Sequence, residues 1–201
     1  MNKPRLLDLF CGAGGAAVGY HWAGFEVVGV DIKPQPHFPF EFHQADAMTY
    51  PLEGFDVIHA SPPCQHYSAC RTMHTCREKT HPDMIGPVRE KLIAAQRPYI
   101  IENVKGSPLI DPVRLTGIMF GLKLFRERWF ETNVFFLSME IPGKQGNVIG
   151  EKGFVCMVGH GDSGRGRIPA NHRNIASWRA ASGIDWMTRA EMTQAIPPAY
   201  T

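Results

Sequence analysis

Short apolar runs alternate with helix-forming stretches along the first half of the chain. The runs are bounded by Gly, Pro and Asp, as is typical of buried strands; they lie at residues 5–10, 25–30, 42–46, 55–60 and 99–101. Residues 16–23 and 88–97 suit helices, and Gly24 is placed to end the first of them. This alternation predicts an α/β fold with a doubly wound, mostly parallel sheet.

The pattern changes in the second half. Residues 126–137 (RERWFETNVFFL) predict strand structure that is antiparallel, and residues 153–160 predict a further strand. A basic, glycine-rich loop is expected over residues 160–174, and two short helices close the chain. Thr188 and Glu191 have the spacing of a capping box, which predicts the start of the last helix.

Length and composition are those of one globular domain. The chain has 201 residues, of which 44% are hydrophobic and 20% are charged, enough for one sizeable core. A net charge of +2 is too small to indicate a polyanionic partner, so any nucleic-acid contact needs locally clustered basic residues. The N-terminal residues resemble neither a signal peptide nor a membrane span, so we expect a cytoplasmic protein with no membrane partner.

The cysteines indicate reduced thiols rather than a disulfide framework. There are five of them, an odd number in a chain with no secretory signal; they are Cys11, Cys64, Cys70, Cys76 and Cys156. Cys70, His74 and Cys76 are close in sequence but have no second ligand pair at zinc spacing, so no metal site is expected.

Polar and glycine-rich segments follow the predicted strands. They are residues 8–14, Asp31, Asp46, residues 62–65 and residues 102–104. The carboxyl ends of parallel strands meet at one edge of a sheet, where α/β proteins bind ligands. The sequence therefore predicts an active site at this edge.

The first of these segments is a glycine-rich turn. Gly12, Gly14 and Ala17 fit G-x-G-x-x-A, and Asp31 lies 19 residues after Gly12. A carboxylate at the end of the second strand can hold a ribose diol, so NAD, FAD and S-adenosylmethionine are all compatible, as is a plain strand-to-helix turn. Asp46 could accept a hydrogen bond from an adenine amino group or be an ordinary loop aspartate.

A cysteine directly behind two prolines, in SPPCQHYS (residues 61–68), raises the question of nucleophilic chemistry. Proline fixes the backbone, so Cys64 is held in a stiff turn. Cysteine is also often buried as a small apolar residue. Taken alone, the turn is compatible with a positioned nucleophile and with a structural thiol.

The motifs together are more specific than any one of them. DLFCGAGG (8–15), VGVD (28–31), Asp46, PPCQ (62–65), ENV (102–104) and RER (126–128) occur in this order. The pattern resembles the DNA cytosine-C5 methyltransferase family, especially its compact phage-type members, over residues 5–130, with weaker likeness in IPPAYT (196–201). The resemblance implies a class I, Rossmann-like fold that uses S-adenosylmethionine to methylate carbon 5 of cytosine in double-stranded DNA.

The resemblance also implies a cofactor site. Phe10 would stack on the adenine, residues 12–14 would line the methionine end, Asp31 would bind the ribose and Asp46 the adenine amino group. The full set of implied cofactor residues is Asp8, Phe10, Cys11, Gly12, Gly14, Asp31, Ile32, Asp46, Ala47 and Pro63.

The implied catalytic residues are Cys64, Glu102, Arg126 and Arg128. Cys64 would add to carbon 6 of a flipped cytosine, Glu102 would contact ring N3, and Arg128 with Arg126 would anchor the base. Asn103 would hold the nucleophile turn. A catalytically weak or inactive DNA-binding homologue, or an enzyme that needs a partner chain for target recognition, is the alternative.

Some positions depart from the family pattern. Leu124 stands where Gln is common, and residues 194–198 (QAIPP) replace the usual Gly-Asn-Ser. We expect a catalytic and cofactor-binding core over residues 1–132, a short recognition segment over 133–174 and C-terminal helices over 175–201, in a monomer. The candidate DNA contacts are the loop 66–86, with Arg71, Arg77 and Lys79, and the basic residues Arg165, Arg167, His172 and Arg173.

Overall fold

The structure is a computed structural model that describes residues 2–65, 67, 82–135, 154–155, 157 and 174–201. Among these residues, no helix is long and apolar enough to cross a lipid bilayer.

The centre of the described structure is a seven-stranded sheet. Its strands are β1 (Arg5–Leu9), β2 (Glu26–Asp31), β3 (Glu41–Gln44), β4 (Val57–Ala60), β5 (Tyr99–Asn103), β6 (Val113–Leu115) and β7 (Arg128–Thr132). The strand order is β3-β2-β1-β4-β5-β7-β6, with β1 to β5 parallel and β7 antiparallel to both β5 and β6. This is the predicted Rossmann-like, mostly parallel arrangement.

Four α-helices flank or follow the sheet in the described part of the chain. They are α1 (Gly15–Trp22), α2 (Ile85–Ala94), α3 (Ile175–Ser182) and α4 (Arg189–Met192). Short 3₁₀ turns lie at Gly117–Phe120 and Pro198–Tyr200. The predicted capping box is confirmed, because Thr188 accepts from the Glu191 amide while Glu191 accepts from the Thr188 amide.

The strands and helices predicted within the described residues are present with shifted ends. The first strand stops at Leu9 because Phe10 adopts a left-handed conformation, with φ of 59°. The helix α2 begins three residues earlier than expected and ends at Ala94. The sequence did not predict β6, whose three residues are too few to show a period.

Both faces of the sheet are covered. Leu7 of β1 packs on the side of α2, with Val88 and Leu92, whereas Leu6 faces α1 and Tyr200. Successive side chains of a strand point to opposite faces, so each buried strand serves two core clusters. This explains the continuous apolar runs in the sequence.

The helix α1 is in backbone contact with the C-terminal segment. Thr201 Oγ1 donates to the Ala16 carbonyl oxygen over 2.8 Å. A Cβ atom built on Gly19 would overlap the Pro198 carbonyl oxygen and Thr201 Oγ1. The absence of a side chain at Gly19 therefore lets the last residues lie directly on the helix.

We predict that Gly19→Ala lowers the free energy of unfolding by about 1–3 kcal/mol, because the added methyl group displaces the C-terminal segment. The matched control is Gly86→Ala in α2, where no described atom lies within 4 Å of the added Cβ. Urea denaturation compares the two variants. Equal stability of Gly19→Ala and Gly86→Ala would contradict the close contact.

Candidate active site at the carboxyl ends of the strands

The turn after β1 brings backbone N–H groups to the sheet edge. Gly12 has φ of 50°, its amide donates to Asp31 Oδ2 over 3.1 Å, and the Cys11 amide donates to the Val30 carbonyl. No described atom lies within 4 Å of a Cβ built at Gly12. The backbone at Gly12 is therefore open to a ligand on that side.

Asp31 joins this turn to the end of β2. Its Oδ1 accepts from the Lys33 amide over 2.9 Å while Oδ2 accepts from Gly12. The next side chain, Ile32, is 68% exposed. A carboxylate and an exposed apolar side chain are thus neighbours where the cofactor was expected.

Asp46 lies two residues beyond β3 in an exposed turn, where Oδ1 accepts from the Met48 amide over 2.8 Å. Lys91 of α2 holds the following residues, because its Nζ donates to the carbonyl oxygens of Ala47, Met48 and Tyr50 over 3.0, 2.9 and 2.6 Å. Sequence reasoning missed Lys91, since one lysine in a helix does not reveal contacts with a loop more than forty residues earlier.

Asp8 is buried, and neither carboxylate oxygen has a hydrogen-bond partner among the described residues. Burial raises the pKa of Asp8 well above its usual range, and the charges of Asp31 and Glu102 raise it further. A buried carboxyl group without a partner is costly. Asp8 is therefore suited to a cationic or hydrogen-bond-donating ligand.

The turn that carries Cys64 is fixed at several points. The Ser61 amide donates to the Leu9 carbonyl over 3.1 Å, and Asn103 Nδ2 donates to the Pro62 carbonyl over 3.0 Å. The expectation that Asn103 holds this turn is confirmed. Two prolines and these bonds restrict the backbone around the sulfur atom.

The Cys64 thiol is partly buried in a field of mixed sign. Burial raises its pKa, and the charge of Glu102 raises it further. The guanidinium groups of Arg128 and Arg126 act in the opposite direction and lower it. In the free protein the net direction is upward, so the thiol form is favoured.

Glu102, at the end of β5, forms a buried ion pair with Arg128. Arg128 Nε lies 2.9 Å from Glu102 Oε1, and 6% of Glu102 is exposed. Burial raises the pKa of Glu102, while Arg128, Arg126 and a hydrogen bond from Ser61 oppose this rise. The net direction is upward, so Glu102 takes up a proton more readily than an exposed glutamate does.

Arg126 is directed towards the C-terminal segment. Its guanidinium donates to the carbonyl oxygens of Ala195, Met157 and Thr193 over 2.6, 3.0 and 2.8 Å, and Tyr200 Oη donates to the Arg126 carbonyl. Burial, followed by the charge of Arg128, lowers the pKa of Arg126 to about 9. The geometry shows how Arg126 joins the C-terminal residues to the site, and its contact with a base stays a prediction.

The surroundings of Leu124 explain why an apolar residue stands where Gln is common in the family that the sequence resembles. It is fully buried in an apolar cluster with Trp178, Met187 and Met192. A polar amide there would be surrounded by apolar side chains. The departure therefore matches the packing of the C-terminal helices.

Several candidates lie outside the described residues. These are the loop arginines and lysine, the basic residues of the recognition segment and the remaining cysteines with their histidine: Arg71, Arg77, Lys79, Arg165, Arg167, His172, Arg173, Cys70, Cys76, Cys156 and His74. Most of the strand predicted at residues 153–160 is also outside, although Val155 forms a parallel bridge with Leu124.

Sequence reasoning also missed His59, a fully buried histidine at the end of β4. The sequence did contain a signal, since the second half of the run FDVIHA has one polar ring among apolar residues, directly before the turn that carries Cys64. The ring Nδ1 lies 2.9 Å from Tyr20 Oη, and Nε2 lies 2.8 Å from Ser61 Oγ.

The solved structures that match this chain share little sequence with it. A DNA modification methyltransferase encoded within an E. coli prophage is 22% identical to this chain, with a TM-score of 0.49. The match covers 63% of this chain and 45% of the prophage protein. S. pombe Dnmt2 is 16% identical with a TM-score of 0.47, with 69% and 51% covered. The chain thus spans about half the length of these proteins. No curated protein matches it.

The family comparison is more specific. A model described as C-5 cytosine-specific DNA methylase matches residues 4–109, more than half of the 201 residues. The matched segment runs from the strand before the glycine turn, through the turn that carries Cys64, to just beyond Glu102 and Asn103. The chain therefore belongs to the C-5 cytosine-specific DNA methylase family.

Proposed function

We propose that this chain transfers a methyl group to carbon 5 of a flipped cytosine in double-stranded DNA through a covalent bond between Cys64 and carbon 6. The observation that carries the proposal is the rigid turn of Cys64 beside the buried Glu102–Arg128 pair. In this proposal Cys64 is the nucleophile, Glu102 is the proton-carrying group and Arg128 is the cation. Membership of the C-5 cytosine family supports this chemistry.

The methyl donor is S-adenosylmethionine, whose sulfonium group supplies an electrophilic methyl carbon. The residues at the glycine turn fit this ligand. Asp8 offers a buried carboxyl group without a described partner, and Asp31 with Ile32 offers a carboxylate beside an exposed apolar surface. We assign the donor site to Asp8, Phe10, Cys11, Gly12, Gly14, Asp31, Ile32, Asp46, Ala47 and Pro63.

The reaction needs carbon 5 of cytosine to become a nucleophile. When the Cys64 thiolate adds to carbon 6, the ring electrons move towards N3, and Glu102 supplies a proton there. The ring is then an enamine with electron density on carbon 5. Once carbon 5 carries the methyl group, its proton passes to water, the Cys64 thiolate departs, and N3 returns its proton to Glu102, which restores the aromatic ring.

The protonation states of Cys64 and Glu102 are coupled, and the sign of the coupling favours the reaction. An ionised Glu102 raises the pKa of Cys64, so a protonated Glu102 makes the thiolate easier to form. The reaction requires this same combination of a neutral carboxyl group and a charged sulfur. Arg128 and Arg126 both lower the pKa of Cys64 and thus favour the thiolate.

Arg128 has two roles in this proposal. Its Nε holds Glu102 in place, and one terminal nitrogen donates to the Glu127 carbonyl over 2.9 Å. The remaining N–H groups would reach a base that lies against Glu102. The base must leave the duplex to reach this edge, at a cost of a few kcal/mol of stacking and pairing. We assign that work to residues 66–86 and to the recognition segment 133–174.

The first prediction concerns the nucleophile. Cys64→Ala abolishes transfer of a labelled methyl group to cytosine-containing duplex DNA, and it abolishes the covalent complex with a 5-fluorocytosine duplex. Gel electrophoresis and scintillation counting measure both. Cys156→Ala is the control, because the sequence gives that thiol no role, and it should retain activity.

Equal labelling by wild type and Cys64→Ala would show that another group starts the reaction. An RNA duplex of the same sequence is a second arm. Labelling of RNA in the absence of DNA labelling would contradict the proposed substrate.

The second prediction concerns the proton-carrying group. Glu102→Gln lowers kcat by roughly 10²–10⁴-fold, because the amide cannot supply a proton to N3. The control is Glu131→Gln, which alters another buried carboxylate. Glu131 lies on the neighbouring strand β7 and pairs with Arg89 of α2 at 2.6 Å. Glu131→Gln should reduce stability and leave kcat close to wild type. Similar kcat values for the two variants would argue against a chemical role for Glu102.

The third prediction concerns the donor site. Asp31→Asn keeps an oxygen atom for the Gly12 amide but loses the charge, so it weakens S-adenosylmethionine binding by about tenfold. Asp56→Asn is the control at the opposite edge of the sheet, where Asp56 accepts from the Arg5 amide. Isothermal titration calorimetry measures both dissociation constants. Tight binding of NAD by the wild type would contradict the assigned ligand.

A further inference from the structure

Lys91 of α2 is hydrogen-bonded at all three of its donor positions. Its Nζ donates to the carbonyl oxygens of Ala47, Met48 and Tyr50 over 3.0, 2.9 and 2.6 Å. A lysine ammonium group has three N–H donors and no acceptor, so these bonds use its whole hydrogen-bonding capacity. A single side chain of α2 therefore holds a backbone segment that lies more than forty residues earlier in the chain.

The turn that begins at Asp46 directs its amides inwards and its carbonyl groups towards Lys91. The Met48 amide donates to Asp46 Oδ1 over 2.8 Å, and the amides of Thr49 and Tyr50 donate to the Asp46 carbonyl over 3.1 and 2.9 Å. Three carbonyl oxygens that converge on one point repel one another unless a donor lies between them. This form of the turn therefore depends on the Lys91 ammonium group.

The residues just before Asp46 are bonded to the end of β2, where we assign the methyl donor. The Ala45 amide donates to the Asp31 carbonyl over 3.1 Å, and Gln44 Nε2 donates to the Ile32 carbonyl over 3.3 Å. Asp31 and Ile32 are the carboxylate and the exposed apolar side chain of the assigned donor site. The turn that Lys91 holds is thus continuous with that site.

The Asp46 carboxylate is exposed at this edge of the sheet. Its Oδ1 accepts from the Met48 amide, and among the described residues no group donates to Oδ2. One oxygen atom therefore orients the carboxylate within the turn. The other can accept from a ligand, such as the exocyclic amino group of an adenine.

We propose that Lys91 is a positioning residue of the donor site, which fixes the turn so that Asp46 accepts from the 6-amino group of the adenine. This inference rests on the proposed function, in which Asp46 belongs to the site of S-adenosylmethionine. Lys91 itself contacts neither the donor nor the cytosine. Its effect is to make the site prefer adenine over a purine that lacks the amino group.

A purely structural role for Lys91 makes a different prediction. Val88 and Leu92 of α2 pack in the same core cluster as Ala47, so Lys91 would in that case only join the helix to the cluster. Removal of its donors would then lower stability and weaken the binding of every donor analogue to the same extent. A positioning role instead changes the preference between two analogues that differ only in the amino group.

The experiment measures the dissociation constants of two ligands by isothermal titration calorimetry. The ligands are S-adenosylhomocysteine and its 6-deamino analogue, in which purine replaces adenine. We expect the wild type to bind the adenosyl ligand about tenfold more tightly, because the analogue lacks one hydrogen bond to a carboxylate. In Lys91→Met, which keeps an unbranched side chain without donors, this preference should fall to about twofold or less.

Further variants test whether Lys91 acts through Asp46. Asp46→Ala removes the accepting carboxylate, and addition of Lys91→Met to it should not change the ligand preference again. The matched control is Lys123→Met, which removes an exposed ammonium group outside the donor site and should keep the wild-type preference. Where Lys91→Met does not fold, Lys91→Gln has the same expected result, because its shorter side chain has only two donors.

Methyl transfer gives a second measurement of the same effect. Lys91→Met should raise KM for S-adenosylmethionine about tenfold and change kcat by less than about twofold, because only the binding of the donor is altered. A loss confined to kcat would contradict a role in the donor site.

Two results of the titrations overturn the proposal. One is a wild-type protein that does not discriminate between the two ligands. The other is a folded Lys91→Met variant that keeps the full preference, including the case in which both ligands bind more weakly by the same factor.

The two proposals can fail separately. A preference for adenine that depends on Lys91, in a protein that transfers no methyl group, removes the proposed function and leaves the positioning role. Methyl transfer with a preference that does not depend on Lys91 removes the positioning role and leaves the function.

Discussion

The ion pair between Arg128 and Glu102 joins two strands that run in opposite directions. A carboxylate buried as deeply as Glu102 must be paired or protonated, because desolvation strongly disfavours an isolated charge. The pair forms because β7 is antiparallel to β5, which places the first residue of β7 beside the last residues of β5. A parallel β7 would begin at the opposite edge of the sheet, far from Glu102. The reversal of this one strand thus places a cation beside the buried carboxyl group.

The edge of the sheet could be predicted from the sequence for a physical reason. Parallel strands that are buried on both faces appear as apolar runs, and the polar residues that follow them must share an edge. The order of apolar runs and polar segments is enough to predict that Gly12, Asp31, Cys64 and Glu102 lie at one edge of the sheet. The family resemblance then gave them expected roles, which remain predictions.

Other features could not be predicted because they depend on contacts distant in sequence. Arg126 looks like a second base-binding arginine in RER, yet its guanidinium is occupied by carbonyl groups about thirty and about seventy residues later. Lys91 has the appearance of a solvated helix residue and instead holds the loop after Asp46. Neither periodicity nor local propensity contains this information, because both describe neighbours along the chain.

The contact between α1 and the last residues has a consequence for how the protein is made. Thr201 lies 185 positions from its partner Ala16, and Arg126 is held by residues near position 195. Such contacts of high sequence separation form late, because the intervening chain must first be ordered. During synthesis the glycine turn and α1 leave the ribosome long before residues 196–201 do. A nascent chain would therefore have the Cys64 turn and the glycine turn before it has residues 196–201, which fasten α1 and Arg126.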